Sequence, residues 1–467
     1  MTRTRPRWRR RTTVRRTGVD VTALVDEGLG NSAYVVDLGD GGALVVDPQR
    51  DPRPYLATLE RRGLVARFVV ETHLHADFVS GGRELSALGA QLMVPVGSEL
   101  AFPHRRLSDR DEVDLGGLTL QAIATPGHTP EHVAYLLLDA SRPLGLFSGG
   151  TLIAGGVART DLLAPDQTEP LARDAYRSIH QRLLALPDDL PVYPTHGGGS
   201  FCATTPGGER TTTIGRERAS NPLLADDPDQ DTFVARLLDG YGSYPPYFHQ
   251  LRDVNRAGPT VHGPTPPRLA QLSVGEVDAA VAGGAELVDV RPIDAFAAGH
   301  IHGALSIAWR AQFATWLGWL LPRDRPVVFV TGDAVERTEL VWAALTIGFE
   351  RLAGELAGGM DAWRAAGRDV SRTPLVDAAA ADGRTVLDIR QSSEFAAGHL
   401  PGAVHVELGT LGDDTGPIPA GPLLVHCAHG ERAMSAASVL EQSGHRDVAV
   451  LAGSPEQLGP LIGSGDA

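Results

Sequence analysis

The 467-residue chain contains no lysine: all 42 of its basic residues are arginine, a bias of coding composition that carries no functional message. Cysteine is nearly missing too, with only Cys202 and Cys427. Two thiols cannot build a disulfide framework, and a lone reactive thiol suits a reducing, cytoplasmic setting. No apolar run approaches the roughly 18 residues that a bilayer crossing requires, so no membrane span is expected. Positive charge is concentrated in one place. Eight arginines and no acid fall in the first sixteen residues, and setting them aside takes the formal charge from −15 to −23. So acidic a body argues against nucleic acid as a main partner. Segment 1–17 reads as a disordered tail; its Arg-Arg pairs lack the following apolar region that an export signal needs.

The length allows roughly three domains, and an internal repeat marks two of them. Leu287-Val288-Asp289-Val290-Arg291 with Phe296-Ala297-Ala298-Gly299-His300 recurs as Val386-Leu387-Asp388-Ile389-Arg390 with Phe395-Ala396-Ala397-Gly398-His399, 99 residues on. A period near 100 indicates domain duplication rather than a solenoid. Each copy alternates short β-rich strands with Ala-rich helices, as a parallel α/β sheet does. The Pro- and Gly-rich stretch 258–267 reads as a linker, giving an N-terminal domain over 18–257 and copies over 268–371 and 372–467.

Cys427 follows the apolar run Leu423-Leu424-Val425 and opens Ala428-His429-Gly430-Glu431-Arg432, ahead of an Ala-rich helical segment. A cysteine at the end of a buried strand, in a tight loop closing into a helix, has its sulfur ringed by backbone N–H groups. The helix dipole and an arginine add to them, and such a setting favours a thiolate and holds an anion. The repeat and this loop resemble the rhodanese family, whose loops of this size fit a persulfide sulfur. The resemblance implies Cys427 and Arg432 as catalytic residues and Ala428, His429, Gly430 and Glu431 as the substrate cradle. In the first copy Thr331 stands at the cysteine position and the loop to Arg337 is one residue longer, so that copy is expected to be silent.

Upstream, Phe68-Val69-Val70 runs into His73-Leu74-His75-Ala76-Asp77. His128 in Thr125-Pro126-Gly127-His128 and His196 in Tyr193-Pro194-Thr195-His196 each follow another apolar strand. The ordered set resembles the metallo-β-lactamase fold, an αββα sandwich. Val46-Asp47-Pro48-Gln49-Arg50-Asp51, the Ala76–Gly81 stretch and Gly197–Cys202 look like its persulfide dioxygenase branch fused to rhodanese domains. That resemblance implies one Fe(II) per chain on two histidines and a carboxylate, with His73 and His128 as the histidines. Two-metal hydrolases of the fold carry histidine where this chain has Phe78. Gly150 occupies the position of the family's ligand aspartate, so Asp77, His75 or water completes the site, another metal such as zinc binds, or the site is degenerate. Arg159 and His196 fall on the substrate side. His132 reads as a solvated face, His104 as a surface turn, Cys202 as unreactive, and Asp77 as a group satisfying buried backbone donors. The Thr-rich stretch from Thr211 reads as facing a substrate carboxylate or as a helix start.

The resulting expectation is an α/β protein: a metallo-β-lactamase sandwich followed by two rhodanese-like parallel domains. It would be a cytoplasmic sulfur-metabolism enzyme moving sulfane sulfur through a Cys427 persulfide, with a dioxygenase-like metal domain. The partners are a small-molecule persulfide, thiosulfate or thiol, without nucleic acid or membrane, and a homodimer is admissible. Two rivals remain: a zinc-dependent thioester hydrolase of the glyoxalase II type, and a non-enzymatic sulfur carrier with a degenerate N-terminal scaffold.

Overall fold

The computed structural model describes residues 8–14, 19–203, 208–381, 383–412 and 418–463. They form two compact units, residues 1–266 with 345–348, and residues 267–344 with 349–467.

In the first unit, strands of uninterrupted apolar character stack as two sheets. One has seven strands in chain order, from Trp8–Val14 to Arg105–Leu107; the other has six and is centred on Val133–Asp139 and Arg142–Gly149. Successive side chains on a strand point to opposite faces, so each sheet has an inner and an outer set. Val21, Tyr34, Val36, Leu44, Val46 and Met93 of the first sheet meet Leu120, Val133, Tyr135, Phe147 and Tyr193 of the second. The alternate residues, such as Val35, Val45 and Val69, pack with Tyr55, Leu59 and Leu85 of the helices Arg53–Arg62 and Gly82–Ala87. On the far side Leu136, Leu146 and Val192 pack with Ala172, Ala175, Phe233 and Leu237, from the helices Pro165–Ser178 and Gln230–Asp239. Strands buried on both faces must be apolar throughout, which is why the sequence shows continuous runs there rather than alternation. The result is the expected αββα sandwich.

Two expectations need correction. The tail contains a strand, Trp8–Val14, paired antiparallel with Val21–Asp26, while residues 1–7 and 15–18 lie outside the described residues. The linker is also anchored within the first unit. The Glu84 carboxylate accepts from the amides of His262 and Gly263, Arg83 donates to the carbonyl of Pro259, and Arg50 donates to that of Thr260.

The second unit holds two five-stranded parallel sheets of identical order. The first runs Gln271–Leu272, Leu352–Leu356, Val327–Val330, Glu286–Asp289, Leu305–Ser306. The second runs Leu375–Val376, Val448–Leu451, Leu423–His426, Thr385–Asp388, Val404–His405. The repeated motif is a structural brace. Arg291 grips the Asp289 carboxylate through Nε at 2.9 Å and Nη2 at 2.6 Å and reaches the Gly299 carbonyl at 2.9 Å. Arg390 does the same with Asp388 at 3.0 and 2.6 Å and with Gly398 at 2.7 Å. His300 and His399 each bond the carbonyl of the phenylalanine four residues before and stack on its ring, at 3.8 and 3.9 Å. Among the described residues no helix is long and apolar enough to cross a membrane.

Candidate functional site

In the first unit, the loops after the strands Val65–Val70, Thr119–Ala124 and Pro191–Pro194 bring His73, His128 and His196 together. One ring nitrogen of each lies within 4.8 Å of the other two, and Nε2 of His196 is 3.4 Å from Nε2 of His73. All three are buried. Their outward nitrogens are fixed from behind: His73 Nδ1 by Thr72 Oγ1 at 2.9 Å, His128 Nδ1 by the Arg159 carbonyl at 2.6 Å, and His196 Nδ1 by Asn31 Oδ1 at 3.0 Å. Such outer bonds set ring orientation and basicity in metal sites. Asp47 ties two of the loops together: it accepts from the amide and hydroxyl of Thr72 at 2.7 and 2.8 Å and from the Thr195 hydroxyl. It does so at φ 48°, a strained conformation for a non-glycine residue. The helix Phe248–Ala257 secures the first loop, with Asn255 donating to the carbonyls of His75 and Phe78 and Arg252 to that of Leu74.

His75 and Asp77 complete the cluster. His75 Nε2 faces Glu71 at 3.0 Å and Asp47 at 3.3 Å, and Phe78 stacks on the ring at 4.2 Å. Asp77 Oδ2 accepts from Asn31 at 2.8 Å and lies 3.4 Å from His196 Nδ1. Two buried atoms, His75 Nδ1 and Asp77 Oδ1, have no hydrogen-bond partner. Buried polar atoms are rarely left so. The three converging imidazole nitrogens, with the Asp77 carboxylate beside His196, offer a donor set that fits a divalent transition metal.

The electrostatics agree for His73 and His128 and set His75 apart from them. Burial pushes His73 well below the usual imidazole range and His128 down to about 3, with His196 adding to the latter, so both are neutral as metal ligands must be. Burial opposes charge on His75, but Asp47 and Glu71 outweigh it and lift the ring to about 10. Burial likewise disfavours the Asp77 anion, yet His196 and His75 bring it down to about 2.

Several expectations change. His196, placed on the substrate side, belongs to the histidine triad itself. His132 is buried rather than solvated: its Nε2 accepts from the Gly150 amide at 2.9 Å, and its Nδ1 meets the hydroxyls of Thr125 and Thr151. Asp77 takes side-chain donors rather than backbone ones. Arg159 turns its guanidinium to Asp161 in two bonds of 2.6 and 2.7 Å and lies 4.1 Å from the Tyr244 ring centroid; its carbonyl is what reaches the site. Gly150 leaves no room for the family's aspartate in this arrangement, because a Cβ there would lie 2.6 Å from the His128 ring. Cys202 is buried, and burial followed by the Asp77 charge holds its thiol far above the usual range. Thr213 caps the helix Ile214–Ser220, so that stretch is a helix start.

In the second unit Cys427 directly follows the strand Leu423–His426, and the Gly430 amide donates to its Sγ at 3.1 Å. Gly430 sits at φ 96°, just before the helix Glu431–Gln442, a conformation that favours glycine. The thiol is 1% exposed, at the bottom of its loop. Ala428 is half-buried and His429 exposed. Arg432 does not hydrogen-bond the sulfur. It donates two hydrogen bonds to the Glu394 carboxylate, at 2.6 and 2.8 Å, while remaining within electrostatic range of Cys427. At the matching place in the first copy, Thr331, Arg337 and Glu355 bond one another. Arg337 also takes the carbonyls of Gly332 and Val335 at 2.9 and 2.7 Å.

Residues 26–196 match the model of the metallo-beta-lactamase superfamily, and residues 273–366 and 373–458 match that of the rhodanese-like domain. The persulfide dioxygenase ETHE1 of Homo sapiens is 33% identical over 185 residues, and that of Bos taurus 31% over 199 residues, 41% of this chain. A hydroxyacylglutathione hydrolase of Methylobacillus flagellatus is 39% identical over 159 residues. The chain spans 66, 71 and 58% of the lengths of these three proteins. A crystal structure of a metallo-beta-lactamase from Staphylococcus aureus subsp. aureus COL superposes with a TM-score of 0.62 at 27% identity, covering 73% of this chain and 99% of that one. The chain belongs to the metallo-beta-lactamase superfamily. Its metallo-beta-lactamase domain is followed by tandem rhodanese-like domains, of which only the second carries a cysteine in its loop. Glu394, Asn31 and Asn255 were not singled out from the sequence. For Glu394 a signal existed: the copies diverge there, with Ala295 at the corresponding place 99 residues earlier.

Proposed function

We propose that the second rhodanese-like domain is a sulfurtransferase that carries sulfane sulfur on Cys427. The observation that supports it is the Gly430 amide aimed at Sγ from 3.1 Å at the mouth of a helix. With thiosulfate as donor, the Cys427 thiolate attacks the outer sulfur, the S–S bond breaks, and sulfite leaves with the bonding pair. The Cys427 persulfide anion then sits against loop N–H groups and the helix dipole. An acceptor thiolate attacks its terminal sulfur, forms a new persulfide and releases the Cys427 thiolate. Arg432 is held by Glu394 beside the loop and makes no hydrogen bond to the sulfur.

We infer that the metallo-beta-lactamase domain holds one iron(II), with His73, His128 and His196 as the imidazole donors and His75 and Asp77 beside them. The relatives named persulfide dioxygenase support iron, since dioxygen chemistry requires a redox-active ion and zinc is not one. When bound, iron would supply activation of dioxygen for oxidation of a persulfide to sulfite. The protein's own part is to hold His73 and His128 neutral, orient the three rings through Thr72, Asn31 and the Arg159 carbonyl, and keep the cluster buried. Phe78, stacked on His75, supplies no donor for a second metal, which weighs against the two-metal thioester hydrolase reading.

The test pairs mass spectrometry of Cys427 after thiosulfate with oxygen uptake on a persulfide. Wild type should gain one sulfur on Cys427, and Cys427→Ser should lose sulfur transfer but keep oxygen uptake. Loss of both together would show that the two activities are not separable. A zinc-loaded protein that cleaves thioesters and consumes no oxygen would favour the hydrolase.

A further inference from the structure

We infer that Arg310, which belongs to the silent rhodanese-like copy, binds the anionic end of the sulfur donor at Cys427 and sets a preference for sulfonate-terminated donors over uncharged ones. This rests on the sulfurtransferase reading of Cys427. The geometry begins at Ser306, on the strand Leu305–Ser306 of the first copy. Its amide donates to Ser438 Oγ at 3.0 Å, and its carbonyl accepts from Ser435 Oγ at 2.5 Å. Ser435 and Ser438 lie on the helix that begins at Glu431, so the chain leaving Ser306 is fastened beside that helix, four residues from Arg310. A second segment of the first copy approaches the same loop. A Cβ built on Gly430 would lie 3.0 Å from Ile293 Cδ1. Near the opposite end of the helix, His300 Nε2 meets Glu441 at 3.2 Å, so the helix is held at both ends by the silent copy.

Arg310 is half-buried and lies within electrostatic range of Cys427, Glu431 and Arg432. Its neighbours are otherwise committed: Arg432 is neutralised by Glu394 at 2.6 Å, whereas the Arg310 guanidinium has no hydrogen bond or ion pair among the described residues. A half-buried guanidinium without a hydrogen-bonded partner, within electrostatic range of a nucleophile, is suited to a planar or trigonal oxyanion, which it can grip through two N–H groups. In the transfer step the donor's S–S bond breaks and negative charge grows on the departing sulfite. A cation there stabilises the leaving group more in the transition state than in the bound donor. The first copy, unable to carry sulfur on Thr331, would thereby supply a specificity-determining residue for its neighbour.

The experiment measures kcat and KM of the full chain for Cys427 sulfur loading from thiosulfate and from an uncharged alkyl persulfide, in wild type, Arg310→Gln and Arg310→Lys. A charged hydrogen bond of this kind corresponds to about a 10-fold or larger loss. Arg310→Gln should lose that in kcat/KM for thiosulfate and change little for the uncharged donor, with partial rescue by Arg310→Lys. Equal losses on both donors would mean that Arg310 only supports packing, and no loss on either would mean that it does not touch the donor; either overturns the proposal while Cys427 loading stands. Failure of wild type to load from either donor removes the sulfurtransferase reading and this proposal with it.

Discussion

Two copies of one domain share a sheet order and a brace, and differ at the place where chemistry would occur. In the second copy an apolar residue stands beside the loop strand: Val450 pairs with Val425, and the Gly430 amide faces the sulfur. In the first, Glu355 pairs with Phe329 at the same register and sends its carboxylate to Thr331 and Arg337. Arg337 then gathers loop carbonyls, the opposite polarity from an anion cup. Silence therefore comes from a rewired loop as well as from a missing thiol. The metallo-beta-lactamase domain repeats the lesson, because the space beside Gly150 is taken by the ring of His128 and the methyl of Ala158.

The largest expected effect is loss of all sulfur loading in Cys427→Ser, read by intact mass after thiosulfate. Adding Thr331→Cys to that variant should restore nothing, because Glu355 presents negative charge where a persulfide anion would sit. A sulfur adduct on residue 331 would show that the rewired loop is not what silences the first copy. Next come the braces. Asp289→Ala and Asp388→Ala each leave a buried arginine without its carboxylate, and each should cost about 3–5 kcal/mol in denaturant unfolding. A large effect in only one copy would break the structural equivalence drawn between them.

Gly150→Asp should cost about 1–3 kcal/mol by overpacking the His128 ring and should retain no more metal than wild type after dialysis. Higher metal content would show that the ring yields and that aspartate is accommodated. The smallest effect concerns Glu441. Burial raises its carboxyl, but His300 outweighs that and brings it down to about 2. Its folded value is below the unfolded one, so the unfolded chain takes up more protons between roughly pH 4.5 and 2. The stabilisation is complete above that window and is lost as the pH falls through it. Glu441→Gln should flatten this acid limb by under about 1 kcal/mol, given partial solvent access. An unchanged slope would mean that the contact with His300 contributes nothing.

The architecture was legible because its signals are local and repeated. The 99-residue period exposed the duplication, and apolar strands ending in histidines exposed the sandwich and its site. What escaped depends on tertiary approach. Asn31 and Asn255 reach the cluster from 46 and 180 positions away in sequence. Solvation of His132 could not be judged from its spacing, since its partners Thr125, Thr151 and Gly150 converge only on folding. Likewise, four residues between Cys427 and Arg432 fix the loop's size but not the direction of the guanidinium, which Glu394 decides. The tail was read from charge alone, which does not show that Trp8–Val14 pairs as a strand with Val21–Asp26.

The imidazole of His75 is gripped on one edge by Glu71 and Asp47 and pressed on one face by Phe78. A ring held in this way cannot swing aside, so its other nitrogen faces the pocket without any rearrangement. An arriving ion would meet a nest completed during folding, with little further ordering needed to seat it. Loading and release of that ion should accordingly leave the sandwich around it unchanged in shape.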